Sequence, residues 1–254
     1  MSELQVLPGA EEFAFGEGPV GALLVHGFTG SPQSMRTLGE YLSERGIAVV
    51  GPRLPGHGTT WQDLNTRTGE EWMQTVETAF HHLASQTEEV FVVGLSFGGT
   101  LAIDLVARHQ DEVAGLVTLA GMVFSKDPRR HLAPVVSRLV ASLPGLSNDV
   151  ADPEGKEIAY DRTPTRAAHA VLRFARRAQA ALPQITTPTL VMHARQDHTV
   201  HPSNAQYIHD RIGSTDKELV WFDRSYHVIT VDYEKDQVFE RTFNFIKEHS
   251  KHAL

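Results

Sequence analysis

Short, nearly continuous apolar runs alternate along the chain with longer segments whose apolar residues recur at helical spacing. The runs are rich in Val and Leu, as expected for strands that are buried on both faces of a parallel sheet. The predicted strands are Val20–His26, Ile47–Gly51, Val90–Leu95, Val113–Leu119, Thr189–His193 and Leu219–Phe222.

The segments between these runs predict helices. The first begins at Ser31-Pro32, a cap followed by proline in the first turn, and the second begins at a capping box over Thr68–Glu71. Gly98–His109 predicts a buried helix, and the last helix carries apolar positions from Val238 to Ile246. Strands that alternate with helices in this way indicate an α/β fold, with a mostly parallel central sheet and right-handed crossovers.

The alternation breaks between Met122 and Leu182, a stretch with several prolines and no strand-like run. This stretch predicts a helical cap over residues 122–182, inserted into a core formed by residues 1–121 and 183–254. The alternative is a pair of ordinary crossover helices joined by long loops.

Composition and charge narrow the class of protein. Of the 254 residues, 41% are hydrophobic and 21% are charged, as in folded globular proteins. Acidic residues outnumber basic ones by 31 to 23, so a net charge of −8 argues against nucleic acid as a partner. The cluster Arg173, Arg176 and Arg177 is too short to change this and is interpreted as a solvated helix face.

The chain contains no cysteine, which excludes disulfides and thiolate metal sites. We identify no secretory signal and no apolar stretch near the ~18 residues that span a bilayer. These features favour a cytoplasmic protein, monomeric or homodimeric, whose contact with lipid is transient at most.

The strongest chemical motif is Gly94-Leu95-Ser96-Phe97-Gly98, between a predicted buried strand and a predicted buried helix. A serine on such a sharp turn is exposed above the sheet edge, and small neighbours permit the strained backbone. Ser96 is therefore the predicted nucleophile; a structural Gly-Ser turn is the alternative.

A serine hydroxyl needs an anion-stabilising site before it can attack an ester. The loop His26–Gly30 follows the first long strand, where such folds supply one backbone N–H to the oxyanion, and the second comes from the residue after the nucleophile. The main-chain amides of Phe28 and Phe97 are the predicted donors. His26 is interpreted as a structural support for this loop.

The acid and the base are expected after later strands, in the chain order Ser, Asp, His. Asp197 follows the strand Thr189–His193, and its rivals are Asp223 and Asp232. Among fourteen histidines, His227 is the one in the loop between the last strand and the last helix. Asp197 is the predicted orienting acid and His227 the predicted general base.

Other motifs carry no cofactor prediction. Gly16–Gly21 matches a dinucleotide fingerprint but opens no helix, and His198 with His201 lacks a third metal ligand. Arg53–Gly58 lacks the ending of a phosphate-binding loop and is interpreted as a tight loop beside the site. No metal or cofactor is expected.

With these residues placed, the chain resembles bacterial monoacylglycerol lipases and related small carboxylesterases of the α/β-hydrolase superfamily. The resemblance covers nearly the whole chain and rests on Leu24–Gly30, Arg53–Gly58, Gly94–Thr100, Lys156–Tyr160 and Ser225–His227.

The resemblance implies an α/β-hydrolase fold with an inserted cap. It also implies that Glu157 binds the free hydroxyls of the glycerol group and that Leu146 lines the same entrance. A surface glutamate is the alternative for Glu157. Phe97 stands where such enzymes often carry Met, which makes the acyl side of the pocket bulkier.

The expected function is hydrolysis of a small-molecule ester or lipid, most specifically a monoacylglycerol, by a Ser-His-Asp acyl-enzyme mechanism. A general short- to medium-chain carboxylesterase is the alternative within this class. A ligand-binding protein that keeps the fold without hydrolysis is the alternative from another class.

Overall fold

The computed structural model describes residues 4–145 and 148–254. The strands are β1 (Phe13–Phe15), β2 (Val20–Val25), β3 (Ala48–Gly51), β4 (Glu89–Leu95), β5 (Val113–Leu119), β6 (Ser142–Pro144), β7 (Arg162–Pro164), β8 (Thr189–Ala194) and β9 (Lys217–Phe222). The helices are α1 (Gln33–Ser43), α2 (Trp61–Leu64), α3 (Gly69–Ala84), α4 (Phe97–Arg108), α5 (Ala133–Leu139), α6 (Thr165–Ala181), α7 (Ser203–Arg211) and α8 (Lys235–His249).

A seven-stranded sheet in the order β1-β3-β2-β4-β5-β8-β9 forms the centre of the protein. Only β1 is antiparallel to its neighbour; the other strand pairs are parallel. The loops that follow the parallel strands therefore meet at one edge of the sheet, which is where ligands bind in open α/β sheets. Every residue of β2, β4 and β8 is buried.

The prediction of a mostly parallel α/β sheet is confirmed, and the predicted strands occur with small differences at their ends. The short edge strand β1 was not predicted, because three residues followed by Gly16 and Gly18 show no useful periodicity. The ring of Phe13 in β1 fills the space beside Gly51, so that a Cβ added to Gly51 would lie 2.3 Å from the ring.

Of the two predicted helix N-caps, one is confirmed and the other prediction is wrong. Thr68 and Glu71 form the predicted capping box, in which Thr68 N donates to Glu71 Oε2 at 2.7 Å. Ser31, in contrast, makes no side-chain cap for α1. Instead its main-chain oxygen accepts the N–H of Ser34 at 3.2 Å, so a backbone turn replaces the predicted hydroxyl cap.

The segment between β5 and β8 contains α5, α6 and a two-stranded antiparallel sheet of β6 and β7. The expectation of an inserted, largely helical segment is thus confirmed, whereas the expectation that it lacks strands is wrong. The sequence pattern does not predict β6 and β7, because each has only three residues and because Pro144 and Pro164 lie within them. The division into domains at residues 122 and 182 stays a prediction.

Helix α6 attaches this segment to the core. Its buried residues include Val171, Phe174 and Ala178, and Arg177 Nε lies 2.6 Å from Asp104 Oδ1 on α4. Burial raises the pKa of Asp104 to about 6, although Arg108 opposes this shift. Within the described ranges, none of the helices combines the length and apolarity needed to cross a bilayer.

Candidate active site

Ser96 lies in the one-residue turn between the end of β4 and the start of α4. Its backbone angles, φ 55° and ψ −115°, belong to a region that side-chain-bearing residues rarely adopt. The main chain holds this conformation, since Ser96 N donates to Leu119 O at 2.8 Å and Gly99 N donates to Ser96 O at 3.0 Å. A strained residue of this kind points to function.

The glycines around Ser96 are required by close backbone contacts. A Cβ on Gly98 would lie 2.0 Å from Val25 O, and a Cβ on Gly94 would lie 2.3 Å from Gly98 O. The Gly-x-Ser-x-Gly pattern therefore follows from the packing of α4 against the ends of β2 and β4. The turn cannot form with larger residues at either glycine.

The structure brings the three predicted side chains together. His227 Nε2 lies 2.9 Å from Ser96 Oγ, and His227 Nδ1 lies 2.7 Å from Asp197 Oδ2. All three residues are buried. Ser96 follows β4, Asp197 follows β8 and His227 follows β9, so residues far apart in sequence meet at the same sheet edge.

Hydrogen bonds fix both oxygens of Asp197. Oδ1 accepts the N–H groups of Thr199 at 2.8 Å and Val200 at 2.7 Å. Oδ2 lies between His227 Nδ1 and His193 Nε2, the latter at 2.9 Å. The carboxylate therefore has a single orientation, with one oxygen aimed at His227.

The charges in this cluster shift each other's pKa. Burial alone would raise the pKa of Asp197, but the charge of His227 and the hydrogen bond from His193 hold it below its usual value. Burial would lower the pKa of His227, but Asp197, with smaller contributions from Glu157 and Asp149, raises it above its ordinary value of 6.5.

The two rival acids have other roles. Asp223 is exposed and lies 3.1 Å from Arg195 Nε. Asp232 is buried, and its carboxylate accepts four main-chain N–H groups, those of Ala151, Asp152, Tyr226 and Tyr233. Asp232 thus fastens the loop of His227 to the inserted segment, a role that no local pattern predicted.

The loop after β2 lies beside Ser96. A Cβ on Gly27 would lie 3.2 Å from Ser96 Cβ, and the rings of Phe28 and Phe97 meet edge to face at 6.2 Å. The main-chain N–H groups of Phe28 and Phe97 donate to no other atom of the described chain. Both amides are therefore available to a bound group.

His26 holds the loop after β2 in place through hydrogen bonds of its ring. Its Nδ1 lies 2.9 Å from Gly27 O, and its Nε2 accepts the N–H of Leu54 at 3.1 Å, which joins the loop to residues 53–58. Burial lowers the pKa of His26 to about 4. A neutral ring with both nitrogens engaged inside the protein is a structural histidine.

A cavity of about 660 Å³ opens beside Ser96 and His227. One part of its lining is apolar and comes largely from the inserted segment: Leu132, Ala133, Val136, Leu143, Pro144, Ala168, Val171 and Leu172. Polar residues form another part, among them Asn148, Asp149 and Glu157. The cavity can therefore hold a molecule with an apolar chain and a polar end.

Glu157 is half-buried in this lining, with Oε1 close to Gly30. Its main-chain N–H donates to Asn148 Oδ1 at 3.1 Å, but its carboxylate has no hydrogen-bond partner among the described residues. Burial raises the pKa of Glu157 to about 7. Leu146, the other predicted lining residue, lies outside the described residues.

Comparison with known proteins shows the family of the chain. The family model for serine aminopeptidase, S33 (Hydrolase_4) matches residues 21–234. The chain belongs to this family. Because the match runs from β2 to the end of the loop that carries His227, it spans the whole of the site.

Two relatives are similar to this chain over nearly their full length. The chain is 39% identical to the thermostable monoacylglycerol lipase of Bacillus sp. (strain H-257), over 96% of this chain and 97% of the relative. It is 30% identical to a carboxylesterase of Bacillus subtilis (strain 168), over 93% and 96% of the two chains.

A solved structure of the metagenome-derived lipolytic enzymes LipS and LipT superposes on this Hydrolase_4 member with a TM-score of 0.94. The two chains are 37% identical, and the superposition covers 96% of this chain and all of the other. The predicted resemblance to lipases and carboxylesterases of the α/β-hydrolase superfamily is confirmed.

Proposed function

We propose that the protein hydrolyses carboxylic esters, and monoacylglycerols in particular, with Ser96 as nucleophile, His227 as general base and Asp197 as the orienting acid. The continuous hydrogen-bonded line from Ser96 Oγ through His227 to Asp197 carries this proposal. His227 takes the serine proton as Ser96 attacks the ester carbonyl, and it then protonates the leaving alcohol. A water molecule activated by the same imidazole releases the fatty acid.

The amides of Phe28 and Phe97 are proposed to bind the oxyanion of each tetrahedral intermediate. Phe28 and Phe97 line the same cavity as Ser96, and neither amide donates to another atom of the described chain. One such donor typically contributes about 2.7–4 kcal/mol to transition-state stabilisation. Because both donors belong to the main chain, substitutions of the two side chains change the shape of the pocket rather than the donors.

Lipid specificity is proposed from three observations that agree. The cavity has an apolar wall, the carboxyl group of Glu157 has no hydrogen-bond partner among the described residues, and a relative 39% identical is a monoacylglycerol lipase. Glu157 is therefore proposed to bind the glycerol hydroxyls. The similarity to a carboxylesterase supports a general short- to medium-chain carboxylesterase as the second candidate. A cytoplasmic location and a monomer or homodimer stay predictions.

A substrate panel tests the specificity. Wild type and Glu157→Gln are assayed on a monoacylglycerol and on the methyl ester of the same fatty acid, which lacks glycerol hydroxyls. Loss of a hydrogen bond to a charged group costs about 1.5–3 kcal/mol, so kcat/KM for the monoacylglycerol should fall roughly 10- to 100-fold while the methyl ester changes little. An equal loss of kcat/KM on both esters would contradict the proposed role of Glu157. Wild-type activity on a triacylglycerol equal to that on the monoacylglycerol would contradict the proposed specificity.

The pH dependence of kcat/KM tests His227. The imidazole must be neutral to accept the serine proton, so activity is lost as the pH falls through its pKa. Because Asp197 raises that pKa, the loss should begin above pH 6.5. Glu157→Gln removes a second source of negative charge and should move the acid limb to lower pH, whereas Glu240→Gln on the exposed face of α8 should not. A flat profile from pH 5 to 8 would contradict the role of His227.

A further inference from the structure

A second histidine contacts the carboxylate of Asp197. His193 lies near the end of β8, is fully buried, and pairs in register with Trp221 of β9. Its Nε2 is 2.9 Å from Asp197 Oδ2 and 3.0 Å from Val200 O. His193 stands behind Asp197, outside the lining of the cavity, so it touches no substrate atom.

The surroundings of the ring assign its proton. Nε2 faces two oxygen acceptors, whereas Nδ1 is buried and has no hydrogen-bond partner among the described residues. A proton on Nδ1 would leave a buried donor unsatisfied and would turn the Nε2 lone pair toward two oxygens, both of which are unfavourable. The distances therefore assign the tautomer with Nε2–H, which donates toward Asp197.

The contact completes the coordination of Asp197. A carboxylate has about four acceptor sites, and here two amides occupy Oδ1 while His227 and His193 share Oδ2. Without His193, only the imidazole of His227 would hold Oδ2. The fixed imidazole behind the acid keeps Oδ2 in place while His227 gains and loses its proton.

We propose that His193 is a positioning residue for the reaction, whose Nε2–H holds Asp197 Oδ2 in line with His227 Nδ1. This inference rests on the proposed function of Ser96, Asp197 and His227. In this arrangement two imidazoles, those of His227 and His193, bind the same carboxylate oxygen of Asp197. Only the imidazole of His227 takes part in the reaction.

Paired substitutions test the donor. His193→Met keeps a long side chain but removes the N–H, whereas His193→Gln keeps an N–H donor at a similar reach. His193→Met should lower kcat about 10-fold with little change in KM, in the range expected when a hydrogen bond to a charged group is lost. His193→Gln should recover most of that loss, which a purely structural role would not predict.

Val191→Ala provides a matched control for stability, since Val191 is equally buried on β8 but its side chain has no group that could donate a hydrogen bond to Asp197. It should lower the melting temperature while kcat stays near wild type. If His193→Met and Val191→Ala behave alike, or if the Gln variant is no better than the Met variant, the inference is wrong.

Measurement on the wild-type protein avoids dependence on variant folding. Nitrogen-15 NMR of labelled histidines should show His193 protonated at Nε2 and unprotonated at Nδ1. The reverse tautomer would overturn the inference even if all variants unfolded. Activity that survives Ser96→Ala would instead refute the proposed function, so the two failures are distinguishable.

Discussion

Ser96→Ala is expected to lower kcat for ester hydrolysis by about 10⁴- to 10⁶-fold, the range seen when the nucleophile of such a triad is removed. The hydroxyl is the only group in the Gly94–Gly98 turn that can form the acyl intermediate, and its base lies 2.9 Å away. The backbone should be unaffected, because the turn is held by main-chain hydrogen bonds and by glycine packing. The measurement is the initial rate on a chromogenic ester, with circular dichroism to verify folding.

Ser125→Ala is the matched control for this experiment. Ser125 lines the same cavity, and its hydroxyl accepts the N–H of Asp127 rather than contacting His227. Its loss should change kcat by less than about threefold, as for other small changes away from the reacting atoms. A fluorophosphonate should label wild type and Ser125→Ala but not Ser96→Ala. Failure to label wild type would favour a ligand-binding protein without hydrolytic activity.

Asp197→Asn should lower kcat by about 10⁴-fold while the fold remains intact, as expected when the orienting acid of a triad loses its charge. The N–H groups of Thr199 and Val200 require an acceptor, so the asparagine oxygen must stay at Oδ1. Its NH₂ group then faces His227 Nδ1, which must become the acceptor. The proton of the imidazole moves to Nε2, beside Ser96 Oγ, and His227 can no longer act as a base.

The comparison with Asp223→Asn makes this prediction specific. Asp223 is closer to His227 along the chain, but it is exposed and contacts Arg195 at the surface. A surface ion pair of this kind contributes about 0–1 kcal/mol, so the variant should retain near wild-type kcat. If Asp197→Asn kept more than a tenth of the activity, or if Asp223→Asn lost it, another acid would have to orient the base.

The positions of Ser96, Asp197 and His227 could be predicted because each depends on a local signal. A buried apolar run marks each strand, and in a parallel sheet every strand ends at the same edge. The residues that follow Leu95, Ala194 and Phe222 therefore had to meet, and the chain order of the three side chains limited the choice. The glycines beside Ser96 strengthened that prediction, since their small size is a steric requirement.

The supporting contacts could not be predicted, because they depend on distances between remote segments. Asp232 binds amides of both the inserted segment and the loop of His227, and its sequence neighbours do not indicate this. His193 looked like an ordinary strand residue, since alternation along β8 cannot show that the next loop folds back over its ring. Likewise, β6 and β7 pair with each other, and Thr165 at the start of α6 donates to Val140 just before β6, contacts that their own composition does not indicate.

Helix α6 has two tasks that belong to different parts of the protein. Ala168, Val171 and Leu172 form a wall of the cavity, while Phe174, Ala178 and the Arg177–Asp104 pair hold the same helix on the core. Chimeras between relatives should therefore exchange residues 122–164 and leave α6 with helix α4, on which it packs. Evolution of new acyl preferences is constrained in the same way. The part of the cavity wall formed by residues 122–164 can change, whereas the part formed by α6 also contributes to the stability of the whole protein.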